Sequence, residues 1–142
     1  MTGPSIVALD TSALVRRYMP DPHRSLVVET MESADVWCAS GMARTELLLA
    51  LHRLAMAPFQ HEELWRSARA DWDCFHVVPV DQACLSRAAD LGATYGLGLV
   101  DAVHLAAADR LPAPIRYVTF ERRQIPAAAA LGFEVVAPEV AA

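Results

Sequence analysis

The sequence predicts an α/β fold, with a central parallel sheet of four to five strands flanked by helices in one domain spanning residues 1–142. Two observations predict it. Short runs such as Ile6-Val7-Ala8-Leu9 are apolar throughout rather than alternating, as strands buried on both faces of a parallel sheet require. Helical patterns separate these runs, and strands that alternate with helices pair in parallel. With 142 residues, 54% of them hydrophobic, the chain is long enough to bury a sizeable core.

The elements follow in order. Ile6–Leu9 is the first strand, Asp10 ends it, and Ser12 is a candidate cap for a short helix over Ala13–Tyr18. Pro20-Asp21-Pro22 stops that helix, and His23–Glu32 is a second. Val36–Ala39 reads as strand two, with Ser40 placed to cap the helix Gly41–Met56. That helix carries Leu47, Leu51 and Leu54 on one stripe and Leu48 and Leu49 off it, so burial on two sides is expected, within the fold or against a partner. Pro58 ends it. His61–Phe75 is amphipathic, with Leu64, Trp65, Ala68 and Trp72 on a core-facing side. Val77–Val80 is strand three, and Asp81 caps Gln82–Tyr95. Gly96-Leu97-Gly98 breaks the chain before the alanine-rich helix Leu99–Ala108, which Pro112 and Pro114 follow. Arg116–Thr119 is strand four, Phe120–Arg123 its exit loop and Ile125–Leu131 a helix. Gly132 stands at the C′ position, and Phe133–Val136 is an edge strand.

Composition removes several chemistries. There is no lysine, so all twelve basic residues are arginine. A P-loop needs its Gly-Lys-Ser/Thr and Schiff-base catalysis needs a lysine amine, so neither is available. Haloacid-dehalogenase-type phosphatases and response-regulator receivers also place an acid after a first strand, but both rely on an active-site lysine. The apolar run near the N-terminus follows no basic residue and is broken by Asp10, unlike a signal peptide, and no stretch approaches the ~20 apolar residues of a membrane span. Cys38, Cys74 and Cys84 lack metal-type spacing and read as buried free thiols of a cytoplasmic protein. A net charge of −5 argues against a broad basic nucleic-acid surface but leaves room for a local arginine rim.

Four acids stand out because they end strands or have apolar surroundings: Asp10, Glu46, Asp101 and Glu121. Singly each has a structural explanation. Asp10 suits an Asx turn, Asp101 a helix start favoured by the dipole, and Glu121 a solvated loop. Together they share one edge, because Asp10 and Glu121 follow strands and the helices bearing Glu46 and Asp101 begin there. Carboxylates within ~4 Å of one another repel by roughly 1–4 kcal/mol per pair, depending on the local dielectric. Hard divalent cations remove that cost, and oxygen donors suit Mg²⁺ or Mn²⁺ rather than zinc. His104, one turn beyond Asp101, reads as a packed histidine on a buried helix.

These residues resemble the PIN domain, and within it the VapC-type toxins of bacterial toxin–antitoxin pairs. The matching segments are Asp10-Thr11-Ser12, Glu46 in the helix after Ser40, and Leu99-Val100-Asp101-Ala102-Val103-His104-Leu105-Ala106. Thr119 two residues before an acid completes the set, with Ala127–Ala130, Leu131-Gly132 and a closing strand behind it. The resemblance covers essentially the whole chain and departs at Glu121, where the family commonly has aspartate. It implies a ribonuclease that cuts single-stranded RNA, such as tRNA or rRNA, with Mg²⁺ or Mn²⁺, leaving a 5′-phosphate and a 3′-hydroxyl. Asp10, Glu46 and Asp101 would be direct or water-mediated ligands, Glu121 would support a second metal, and Ser12 and Thr119 would hydrogen-bond the carboxylates or the attacking water. It also implies a homodimer and a cognate antitoxin whose C-terminal segment lies in an apolar groove, with which the helix Gly41–Met56 is compatible.

The arginine pairs add to this pattern. Arg16 and Arg17 follow Asp10 by under two turns, and Arg122 and Arg123 directly follow Glu121, so at least one of each pair is expected to hold RNA phosphate. The competing reading is a catalytically inactive PIN-like protein or RNA interaction module with structural acids; a second rival is an acid-dependent phosphatase, which the missing lysine disfavours.

Overall fold

The structure is a computed structural model that describes residues 3–138. Strands β1 (Ile6–Leu9), β2 (Val36–Ser40), β3 (Phe75–Val78), β4 (Ile115–Val118) and β5 (Glu134–Val136) form one parallel sheet in the order β3-β2-β1-β4-β5. Among the described residues seven helices cover it: α1 (Thr11–Tyr18), α2 (Arg24–Glu32), α3 (Ala43–Leu54), α4 (Pro58–Trp72), α5 (Gln82–Tyr95), α6 (Leu99–Asp109) and α7 (Gln124–Ala130). The chain walks outward from β1 through β2 to β3, then returns to add β4 and β5 on the other side of β1. The strand order therefore reverses between β1 and β4, and a crevice opens at their carboxyl ends.

Successive side chains of each strand enter opposite layers. Val7, Leu9, Ala39 and Val118 pack with α1 to α4, whereas Ala8, Cys38, Ile115 and Tyr117 pack with α5 to α7. The first layer carries all three tryptophans. Trp37 donates to the Met31 carbonyl at 2.7 Å, Trp65 to the Leu48 carbonyl at 2.8 Å, and Trp72 stacks on Phe75 at 5.1 Å between ring centres. The second layer is built on α6, where every residue from Ala102 to Ala108 is buried. Four of those seven residues are alanine, so α5 approaches closely: a Cβ added at Gly92 would sit 3.7 Å from the Ala102 Cβ. Gly96, at φ 67°, ends α5 in the left-handed region, and Gly132, at φ 88°, does the same after α7.

Several boundaries and contacts correct the sequence reading. Pro58 begins α4 instead of only ending α3, because its fixed φ and missing N–H suit the first helical turn. β3 lies at Phe75–Val78, two residues earlier than expected, and its ladder stops before Pro79, which has no N–H to donate. Asp10, not Ser12, caps α1, and Ser40 is the last residue of β2, not a helix cap. α3 is buried on one face only, through Ala43, Leu47 and Leu51, while Leu49 and Leu54 are each 47% exposed. Cys38 and Cys84 are buried free thiols, but Cys74 is exposed. Among the described residues no single helix is long and apolar enough to cross a membrane.

Candidate functional site

Leu9 ends β1 inside the core, and Asp10 follows it at the head of α1 with only 1% exposure. Its carboxylate is held from four directions. Oδ1 accepts from the Ser12 hydroxyl at 2.7 Å and the Ala13 amide at 3.0 Å, and Oδ2 accepts from the Thr119 hydroxyl at 2.7 Å and the Gln124 amide at 3.0 Å. The two hydroxyls are braced alike: Ser12 Oγ accepts from the Phe120 N–H at 2.8 Å, and Thr119 Oγ1 accepts from the Glu121 N–H at 3.0 Å. Accepting a backbone N–H aims each hydroxyl proton at Asp10 and ties the loop after β4 to the start of α1. Desolvation raises the Asp10 pKa above its ordinary value; the hydrogen bonds from Ser12 and Thr119 and the His104 charge oppose but do not cancel it.

Glu46, in the first turn of α3, sits across the crevice. Its Oε1 accepts from Thr11 at 2.6 Å and lies 2.7 Å from His104 Nε2. His104 is 4% exposed, and its Nδ1 is 3.0 Å from Ser40 Oγ. Partial burial pushes the Glu46 pKa up, but the His104 and Thr11 hydrogen bonds and the His104 charge outweigh it, leaving Glu46 below its ordinary value. Asp101, in the first turn of α6, accepts from Gln124 Nε2 at 2.8 Å. Glu121 is exposed at the rim, and among the described residues its carboxylate forms no ion pair.

Asp10, Glu46, Asp101 and Glu121 thus line one cavity of about 230 Å³, together with Thr11, Ser12, His104 and apolar Val15, Ala50 and Val100. The donor chemistry fits a hard divalent cation: oxygen atoms only from the acids, and no arginine paired with any of the four among the described residues. The side chains are not gathered as a closed cage, since among the described residues no three His, Cys, Asp or Glu groups converge on one point. Glu46 is turned toward His104, and the Gln124 amide lies between Asp10 and Asp101.

The arginines divide. Arg17 faces away from the acids, paired with Asp71 at 3.1 Å and lying over Trp37 at 5.1 Å, in a groove of about 530 Å³ beside Tyr18 and Arg24. Arg16 borders the site: it donates to the Ser12 carbonyl at 2.7 Å, lies 3.3 Å from Asp21 and covers the Phe120 ring at 4.1 Å. Arg122 and Arg123 are exposed beside Glu121. Sequence reasoning missed Gln124 altogether and Ser40 as a partner of His104. A lone polar residue in the Ala102–Ala108 run was a signal for His104, but Gln124 follows two arginines and carries no local signal.

A sequence model of the PIN domain matches residues 7–130. The chain belongs to the PIN domain family. The PIN fold is also seen in solved structures that resemble this one. FitAcB from Neisseria gonorrhoeae has a TM-score of 0.70 at 19% identity, covering 91% of this chain and 95% of that one. A toxin–antitoxin complex from Klebsiella pneumoniae has a TM-score of 0.67 at 18% identity, covering 92% and 95%. VapBC-5 of Mycobacterium tuberculosis, a member of the VapBC family of toxin–antitoxin systems, has a TM-score of 0.61 at 16% identity, covering 94% and 99%. No curated protein matches this PIN chain.

Proposed function

We propose that this PIN domain is a Mg²⁺- or Mn²⁺-dependent endoribonuclease that acts as the toxin of a toxin–antitoxin pair. The observation that carries the reading is the one cavity at the strand-order reversal that four carboxylates line without an arginine partner among the described residues. Asp10, Glu46 and Asp101 would hold the cation, with Glu121 at the rim supporting a second. A bound cation would supply a water of lowered pKa and stabilise charge on the phosphate. Ser12 and Thr119 fix both oxygens of Asp10, so that the carboxylate keeps one orientation through turnover. His104 and Thr11 hold one oxygen of Glu46, Oε1. Arg16, Arg122 and Arg123 flank the cavity as phosphate-binding groups, whereas Arg17 is committed to Asp71 and serves the fold.

An antitoxin partner is supported by the similar structures, among them the Klebsiella pneumoniae toxin–antitoxin complex and VapBC-5. A homodimer is supported by the half-exposed leucines 49 and 54 of α3. The decisive experiment is Asp10→Asn assayed on single-stranded RNA with Mn²⁺. Cleavage by the unaltered chain and its loss in a folded variant are expected. An unaltered chain that neither cleaves RNA nor binds Mn²⁺ would instead be an inactive interaction module.

A further inference from the structure

We infer that Gln124 is a neutral placeholder behind the acidic cavity, its amide tying Asp10 to Asp101 through contacts with which a divalent cation held by these two acids would have to compete. The inference rests on the cation-binding reading of the site. A carboxylate offers about four acceptor directions, and Asp10 has all four filled. A cation reaching Asp10 therefore displaces a donor. Three of the four are fixed by the fold: the Ala13 N–H belongs to α1, and the Ser12 and Thr119 hydroxyls are each clamped by a backbone N–H. Gln124 is the fourth, and it alone touches both acids, giving one amide nitrogen to Asp10 Oδ2 and Asp101 Oδ1.

The amide cannot face the other way. Tyr117 donates its hydroxyl to Gln124 Oε1 at 2.7 Å, and Tyr117, 1% exposed, is buried away from bulk solvent. With its carbonyl thus taken and its side chain wholly buried, Gln124 presents only N–H to the acids. Two carboxylates within two hydrogen-bond lengths of each other are bridged by an uncharged donor, which screens part of their repulsion and none of their charge. Gln124 is a positioning residue: it stabilises the cation-free arrangement and lowers cation affinity by the same contacts.

The test is Gln124→Met, which fills similar space, donates nothing, and adds only a soft thioether that Mn²⁺ does not favour. Gln124→Met with Tyr117→Phe is the companion variant, because it also removes the hydroxyl the single change would orphan. Thermal melting is read on chains stripped of metal, and Mn²⁺ binding by titration calorimetry. The expected result is a lower melting midpoint without metal together with Mn²⁺ binding about tenfold tighter or more, since hydrogen bonds to ionised groups no longer have to break. A merely structural residue would lower the midpoint without tightening Mn²⁺. Binding by the unaltered chain that neither variant tightens overturns the inference alone. No binding by any of the three overturns the cation reading, and the inference with it.

Discussion

Thr119→Val isolates the bracing of Asp10, because valine keeps the shape of a fully buried residue and deletes only its hydroxyl. Two contacts are lost: the donation to Asp10 Oδ2 at 2.7 Å and the acceptance of the Glu121 N–H at 3.0 Å. A hydrogen bond to a charged group contributes about 1.5–3 kcal/mol, and a partly buried orphaned N–H adds up to about 1 kcal/mol. The variant should therefore lose about 2–4 kcal/mol, read as a shift of the urea midpoint at unchanged slope. For a chain of this size that is a fall in melting temperature of about 6–12 °C. The partner of the lost bond is identified by adding Asp10→Asn to each background. The double variant should be less destabilised than the sum of the singles, because the hydroxyl then has no full charge to stabilise. A loss below about 0.5 kcal/mol, or strict additivity, would refute the argument that Thr119 acts on the Asp10 charge.

Two further outcomes follow from the same geometry. Asp10 binds its proton more tightly folded than unfolded, so its contribution to stability falls as pH rises from its ordinary value of 3.8 through the raised folded value. Glu46 has the opposite sign: its contribution is present above 4.5 and is lost as pH falls through the lowered folded value. Unfolding of Asp10→Asn and Glu46→Gln across acid pH should show differences from the unaltered chain that run in opposite directions. Among the arginines, Arg16→Ala should weaken RNA binding and reduce its salt dependence by about one counterion, as should Arg122→Ala. Arg17→Ala should instead cost about 1 kcal/mol of stability and leave RNA affinity alone, because its guanidinium is held by Asp71 and Trp37. Unchanged affinity and salt slope in both Arg16→Ala and Arg122→Ala would dismiss the phosphate role.

The parallel sheet was legible because apolar runs and helical periods are local signals. The placing of Asp10 at a strand end and Asp101 at a helix start needed nothing more. Their meeting in one cavity follows from the order β3-β2-β1-β4-β5, which alternation alone does not dictate. Asp10 displaced Ser12 as helix cap because a carboxylate at the strand end reaches the Ala13 N–H directly, leaving Ser12 free to donate back to it. Ser40 was misassigned since a serine at a strand end suits a cap as well as it suits a histidine 64 residues away. Gln124 was invisible because an amide becomes informative only when the groups it joins, 23 and 114 residues distant, are known to be neighbours.

The sharing of aromatic residues between the two layers has a spectroscopic consequence. Trp37, Trp65 and Trp72 all lie in the layer of α1 to α4, while the α5–α7 layer holds Tyr95, Tyr117 and Phe133 but no tryptophan. Indole emission therefore reports the loosening of one side of the sheet, and far-ultraviolet dichroism, dominated by helices on both sides, reports the whole. Coincident melting curves would show that the two layers leave the sheet in one cooperative step. An indole transition that precedes the dichroism would identify the α1–α4 side as the weaker half, and with it the side from which Glu46 enters the acidic cavity.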